Sequence, residues 1–454
     1  LGAEPRMPPI NFVRSVYVFR RVNGKLPCLI GGFALSFALL SAAPAWSEPL
    51  ADLLPGFLEN QNQYKAAMAD VAAASENALA SKGGFYPTLD VTATYGNEQQ
   101  MKPSADDTNL VSREADFTVT QRIWDDGATD ATIRSAGLVQ RQAEAVLAST
   151  KSALLLRAVA AYANVVRAGE ALKFALKSEQ NVKKQTELEN ALVKRGAGFS
   201  TDVLQAKVQL AGAQARRSRA DGALKIAGNA YRTLFKKMPG PLIAMDKLVA
   251  PVDRLPNDVD EAVERALRNN SLLIAAKLAS DIAQAGVSQT RATSYSPTID
   301  GIIDYKIKRD VSATLGNQRE IFSKFELNFP FNLGLTAANT LKASERSFDA
   351  SVYRYADTKD QITEQTRNAW EQYQTAVINA GLLANQANIA GEFLEFARKE
   401  RTLGRRSLLD VLTGETAEIN ARSDTTSAQT DVIIAAYTLL EVMGELNEAV
   451  LGGK

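Results

Sequence analysis

The sequence predicts an α+β membrane protein built by internal tandem duplication, in which very long antiparallel helices carry short amphipathic strands. Three observations predict it. The N-terminus has the layout of an export signal. Landmark segments recur in one order at a constant spacing. The hydrophobic period switches along the chain between that of a helix and that of a strand.

The composition narrows the chemistry. Among 454 residues there are 52 Lys+Arg, 51 Asp+Glu, one cysteine and no histidine. Without histidine there is no Ser-His-Asp triad, no His-ligated metal and no imidazole that titrates near neutral pH. A formal net charge of +1 argues against a nucleic-acid-binding domain. No Gly-rich phosphate loop, metal cluster or nucleophile-base pair stands out, so a non-enzymatic chain without cofactor or metal is expected.

Residues 1–47 form the signal region. Arg14, Arg20, Arg21 and Lys25 precede an uncharged run from Leu26 to Trp46, and Ala43-Pro44-Ala45 offers a cleavage site after Ala45. The run is also long enough for an uncleaved anchor, which is the weaker reading. Cys28 lies before the apolar core with Pro27 beside it, so it is read as a passenger lost on cleavage and not as an acylation site. Removing five basic and one acidic residue leaves 52−5 = 47 basic and 51−1 = 50 acidic residues, a net charge of −3.

The remainder divides into a first repeat, 48–235, a proline-containing linker, 236–257, and a second repeat, 258–454. Tyr86-Pro87-Thr88-Leu89-Asp90 recurs as Ser296-Pro297-Thr298-Ile299-Asp300. Ile123-Trp124-Asp125-Asp126-Gly127 answers Pro330-Phe331-Asn332-Leu333-Gly334, and Gly196 with Asp202-Val203-Leu204 answers Gly404 with Asp410-Val411-Leu412. The first helix of each repeat is expected at Leu50 to Lys82 and at Asp258 to Thr293. After each Pro landmark the pattern alternates: Leu89, Val91, Ala93 and Tyr95 oppose Thr88, Asp90, Thr92 and Thr94, and Ile299, Ile303, Tyr305 and Ile307 repeat the arrangement. Ala115, Phe117 and Val119, and later Phe325, Leu327 and Phe329, close two hairpins with expected loops around Gly96 to Arg113 and Asp310 to Glu320.

Uninterrupted helix is then expected from about Ala128 to Arg195 and from Gly334 to Thr402, each about 100 Å long at 1.5 Å per residue. Ile133, Ala136, Val139, Ala143 and Val146 mark a coiled-coil-like seam. Half-length helices follow at Ser200 to Phe235 and Ser407 to Leu446, so that two half-length helices stacked end to end match one long one. Pro239, Pro241, Pro251 and Pro256 stop any helix in the linker, which is expected to lie as a belt across the long helices.

In an exported chain, strands with one apolar and one polar face fit a half-buried sheet or a transmembrane barrel. Four strands cannot close a barrel, and lipid does not tolerate open edges. A membrane reading therefore requires oligomers: two copies give eight strands with a filled interior, three give 12 with room for a channel.

The duplicated helix, hairpin and long-helix unit, with its paired Gly-x5-Asp-Val-Leu turns, resembles the TolC family of outer-membrane efflux and secretion ducts over the whole exported chain. The resemblance implies a homotrimer with a 12-stranded β-barrel in outer-membrane lipid and an antiparallel α-helical barrel through the periplasm. It also implies a periplasmic adaptor (membrane fusion protein) and an inner-membrane pump of RND or ABC type, serving multidrug efflux, type I protein secretion or both. By the same resemblance Asp410 rings the periplasmic constriction, with Thr413 where a second acid would stand. Asp202, Thr201, Arg401 and Arg406 form a gate latch, with an Arg401 to Asp202 salt bridge. Gly196, Gly404, Leu204 and Leu412 belong to adaptor-docking tips. From the residues alone, Gly196 and Gly404 are helix C-caps, and Ser200 or Thr201 caps the next helix. Tyr86, Trp124, Tyr295 and Phe331 sit at strand ends, where either an interface girdle or junction packing would put them. A periplasmic coiled-coil adaptor or scaffold is the competing class, disfavoured because hairpins embedded between four helical segments do not suit it.

Overall fold

The computed structural model describes residues 49–103, 106–240, 245–331 and 333–452. The signal region, its cleavage site and Cys28 lie outside the described residues. The elements run α1 (Leu50–Leu53), α2 (Asn62–Ser81), β1 (Thr88–Gln100), β2 (Thr108–Trp124), α3 (Ala128–Lys194), α4 (Ser200–Phe235), α5 (Val259–Asn269), α6 (Ser271–Tyr295), β3 (Thr298–Val311), β4 (Thr314–Asn328), α7 (Thr336–Thr402), α8 (Leu408–Val442) and α9 (Glu448–Leu451).

The two long helices, α3 and α7, have 67 residues each. Asp125 starts the first: its carboxylate accepts from the Gly127 and Thr129 amides at 3.1 and 2.9 Å, satisfying first-turn donors as an acidic N-terminus should. The second long helix begins after Leu335, which has φ +58° and offers no side-chain cap.

Three expectations are corrected. The hairpin loops are much shorter than expected, 101–107 and 312–313, because the polar residues Glu98, Gln99 and Gln100 go on pairing with Leu110, Asn109 and Thr108. The helix expected over Leu50 to Lys82 is interrupted near Pro55 and Gly56, with Gly56 at φ +71°. The helix expected over Asp258 to Thr293 breaks at Asn270, whose extended backbone lets its side-chain oxygen cap the Leu272 and Leu273 amides at 3.0 and 3.1 Å.

That break has a purpose in the stacking. Gln61 Nε2 donates to the Leu234 carbonyl at 2.8 Å, and Asn270 Nδ2 donates to the Val442 carbonyl at 2.8 Å. Gln61 and Asn270 are equivalent by the duplication, 209 residues apart. In each repeat a buried amide thus joins the end of one half-length helix to the start of another, α4 to α2 and α8 to α6. Gly444, at φ +74°, brings its backbone so close to this joint that a Cβ would lie 2.3 Å from the Asn269 carbonyl oxygen.

The largest core sits at mid-height, where Leu154, Leu155, Val159, Tyr162, Tyr231, Leu439, Leu440 and Met443 are buried together. The linker crosses it. Met245 is buried in this core, and Tyr162 and Tyr437 donate to the carbonyls of Asp246 and Val249 at 3.1 and 3.5 Å. In the seam expected along α3, Val139 and Val146 are exposed, while Ala145 packs with Leu138, Ala275 and Leu278. The chain on its own therefore covers only one flank of the long helix.

The strands form one antiparallel sheet in the order β1-β2-β3-β4, so the hairpins of the two repeats lie side by side through β2 and β3. β1 and β4 are its edges.

Candidate functional site

Two regions position candidate functional side chains: the helix tips far from the strands, and the sheet with the ring of residues at its base.

At the tips, each long helix ends in the same hydrogen-bonded turn. Gly196 and Gly404 have φ +74° and +73°. The Ala197 amide reaches back to Leu192 O and that of Arg405 to Glu400 O, both at 2.9 Å, while the glycine amides bond Val193 O and Arg401 O at 3.0 Å. This paired pattern satisfies the last helical carbonyls and requires a left-handed residue, which is why glycine stands there. The capping expectation holds for both glycines. The expected side-chain cap after the first turn does not. Phe199 occupies the N-cap without a capping bond, and Ser200 and Thr201 lie inside the helix, whereas Ser407 caps the Asp410 amide of α8 at 3.2 Å.

The electrostatics differ from the expected latch. Arg401 does not pair with Asp202; its Nη2 pairs with Glu189 Oε1 of α3 at 2.7 Å, and Nη1 donates to the Arg406 carbonyl at 3.4 Å. The Glu189 side chain is only 2% exposed, and a buried carboxylate without a cation is strongly unfavourable, so it takes the nearest guanidinium in preference to the more open Asp202. Arg406 Nε binds Glu400 at 2.6 Å, and its guanidinium lies 5.2 Å from the centre of the Phe393 ring. Arg398 pairs with the buried Glu415 at 2.6 Å. Asp202 makes no ion pair among the described residues.

Asp410 and Thr413 are exposed one helical turn apart on one face of α8. Leu204 is exposed, but Leu412 is fully buried with Val182, Ala206 and Leu408. Leu412 is therefore corrected from a docking residue to a core residue that holds the two tips together. Sequence reasoning missed Glu189, Glu400, Glu415, Arg398 and Phe393. A signal existed for Glu189: it continues the stripe Val182, Thr186 at helical spacing, and an acid on a buried stripe calls for a cation.

In the sheet, register sorts the side chains into two faces. Leu89, Val119 and Ile303 are aligned across strands, as are Val91, Phe117, Tyr305 and Ile321. On the other face lie Asp90, Thr118, Asp304 and Phe322, then Thr92, Asp116, Lys306 and Glu320, and then Thr94, Glu114, Lys308 and Gln318. That face carries cross-strand ion pairs: Arg122 with Asp300 at 2.5 Å, Lys306 with Asp116 at 3.6 Å and Lys308 with Glu320 at 2.9 Å. An apolar face backed by a charged one is the pattern of strands with lipid outside and water inside. At the helix end of the sheet Tyr86, Trp124, Tyr295 and Phe331 are all exposed, and the Phe329 ring packs tilted against that of Phe331 with ring centres 4.5 Å apart.

A lipid-compatible sheet carried on two 67-residue helices, with buried carboxylates held by arginines at the far tips, defines one subunit of a membrane duct that continues as a helical tunnel. The chain belongs to the outer membrane efflux protein family, whose model matches residues 53–235 and again 262–445. The double match follows the duplication. The chain is similar to outer membrane protein TolC of Vibrio cholerae serotype O1, with 26% identity over 415 residues, 90% of this chain and 93% of that protein. It is also similar to the alkaline protease secretion protein AprF of Pseudomonas aeruginosa, with 24% identity over 435 residues, 91% of this chain and 88% of that protein. The solved outer-membrane channel OprN shares the fold with a TM-score of 0.77 at 19% identity, covering 87% of this chain and 90% of that one. This is an outer-membrane exit duct that extends into the periplasm.

Proposed function

We propose that three copies of this chain form the duct, and that it receives cargo from a periplasmic adaptor and an inner-membrane pump of RND or ABC type. The observation that carries the trimer is the four-stranded sheet, whose β1 and β4 edges are unpaired although its outer face is apolar. Open edges are not tolerated in lipid. Joining β4 of one copy to β1 of the next gives 12 strands from three copies, wide enough for a channel.

At the opposite end, three Asp410 carboxylates would face one another about the threefold axis with Thr413 one turn further in. Such a ring favours cations and disfavours anions. Arg401 with Glu189 latches the α7–α8 pair against α3 in the closed tip, and Arg406 with Glu400 braces the turn between α7 and α8, with Asp202 and Thr201 facing them from the other repeat. The adaptor docks on the exposed apolar side chains beside the Gly196 and Gly404 turns, chiefly Phe199, Leu204 and Val208. Tyr86, Trp124, Tyr295 and Phe331 anchor the periplasmic membrane interface. Small-molecule efflux is the first reading of cargo, in line with the family description. Type I protein secretion is the second, favoured by the similarity to AprF.

The test is native mass and conductance of the protein extracted from outer membranes without heating. A trimer that forms discrete channels in planar bilayers is expected; a monomer, or a trimer without conductance, would sink the reading.

A further inference from the structure

The lipid-facing side of the sheet carries charged residues only at its outer end. There Arg113 of β2 and Arg309 of β3 are direct cross-strand partners on the face that carries Val91 and Ile303, and Arg319 of β4 lies opposite Ile307 one row further in. All three are exposed. Arg113 has no ion pair among the described residues and rests on the exposed Tyr95 ring, 5.6 Å from its centre. Arg309 has only Asp310, at 3.5 Å. Like charges directly opposed across strands repel, so the pair is unfavourable unless an anion joins it.

Their height is informative. Arg309 lies 10 residues along β3 from Ile299, which pairs with Trp124 at the helix end of the sheet. At about 3.4 Å per residue and a strand tilt of about 40°, that is roughly 26 Å along the membrane normal, against an apolar band about 25 Å tall. Arg113 and Arg309 therefore reach the outer headgroup level, and Arg319, roughly 5 Å deeper, reaches it with its long side chain. Nothing in the duct's passage of cargo uses arginines on the outside of the barrel.

We propose that Arg113, Arg309 and Arg319 form a phosphate-binding site for phosphorylated lipid of the outer leaflet, one site on each subunit. The guanidinium forks suit phosphate oxygens bidentately. The acyl chains of the same lipid would lie along the apolar rows beneath. The proposal rests on the outer-membrane barrel reading, and trimer mass and conductance, measured on the same samples, report that reading separately.

The experiment titrates the purified trimer in dodecyl maltoside with diphosphoryl lipid A, with dephosphorylated lipid A and with sodium phosphate, following the thermal midpoint of trimer dissociation. Wild type is expected to respond to the diphosphoryl lipid at concentrations lower by about tenfold or more than to the dephosphorylated one. Arg113→Gln/Arg309→Gln is expected to lose that difference while keeping its conductance, and Arg113→Lys/Arg309→Lys to keep part of it. Equal responses of wild type to the two lipids would overturn the proposal, and this arm needs no variant to fold. Unchanged discrimination in the Gln variant would also overturn it, as would sodium phosphate that reproduces or blocks the lipid effect, since the ligand would then be the free ion.

Discussion

Replacing Arg401 with alanine should open the duct. Its guanidinium lies 2.7 Å from a Glu189 carboxylate that is 2% exposed, while Arg401 itself is 33% exposed. Breaking a fully buried pair from one side typically costs about 3–5 kcal/mol, because the remaining charge is left uncompensated. One-third exposure of the arginine admits water to the pair and lowers this to about 2–3 kcal/mol. If that stabilisation belongs to the closed tip alone, the open population rises roughly 30- to 140-fold at 1.4 kcal/mol per factor of ten. Single-channel recording in planar bilayers reads the population, and thermal unfolding reads stability. Arg401→Ala should raise open probability and lower the melting temperature. Adding Glu189→Gln removes the stranded charge, so the double variant should recover most of the melting temperature and remain open. An Arg401→Ala channel that melts lower but gates like wild type would refute the latch and leave the pair a purely structural one.

Four further outcomes follow from the same geometry. Gly444→Ala should be far more damaging than Gly404→Ala: a Cβ at 444 would meet Asn269 O at 2.3 Å, whereas nothing lies within 4 Å at 404, leaving only the left-handed backbone penalty of about 1–2 kcal/mol. Parallel thermal melts of the two variants check this contrast. Asn270→Ala removes both the cap of α6 and the bond to Val442 O, and should lower stability by about 1–3 kcal/mol in denaturant titration. Burial holds the Glu441 carboxyl above its ordinary 4.5, so the folded chain keeps a proton that the unfolded chain would release. Stability from this group is full below 4.5 and is lost as pH rises through the folded value, so Glu441→Gln should raise the melting temperature at pH 8 and change it little at pH 4. Asp410→Asn should lower cation preference in reversal-potential measurements under a salt gradient; unchanged selectivity would remove Asp410 from the constriction.

Much of this architecture is written in residues whose backbone requirements are strict. Gly196 and Gly404 could be placed in turns because only a left-handed residue closes that hydrogen-bond pattern, and the proline-free stretches fixed the two long helices to within about two residues of their ends. The joint at Asn270 was illegible, since Asn-Ser in a helical pattern reads as more helix until the carbonyl that Asn270 must satisfy is known to lie next to it. Strand ends were underestimated because apolar alternation stops at the edge of the apolar band, whereas backbone pairing continues through Glu98 and Gln100. At the tips the motif located the turns but not the partners. Leu412 lies four residues from Leu408 on a buried stripe, and helical spacing alone assigns it to the core. Glu189 is distant in sequence from Arg401, and only the packing of α3 beside α8, the hairpin partner of α7, brings the two together.

The closure of the sheet between subunits is the claim on which the duct depends. If Cys28 leaves with the signal, the exported chain has no cysteine of its own, so pairs can be introduced cleanly. Thr92 on β1 and Glu320 on β4 lie in one cross-strand row at opposite edges of the sheet, three strand spacings or about 14 Å apart within a subunit, too far for a disulfide. A strand tilt of about 40° shifts the register by about five residues over four strands, so Thr92→Cys should be combined in turn with Cys at every second position of β4 from Thr314 to Glu326. Oxidation in outer membranes followed by non-reducing electrophoresis is predicted to give covalent dimers and trimers, and no larger species, for at least one pair. Monomers alone across the scan would contradict a 12-stranded barrel.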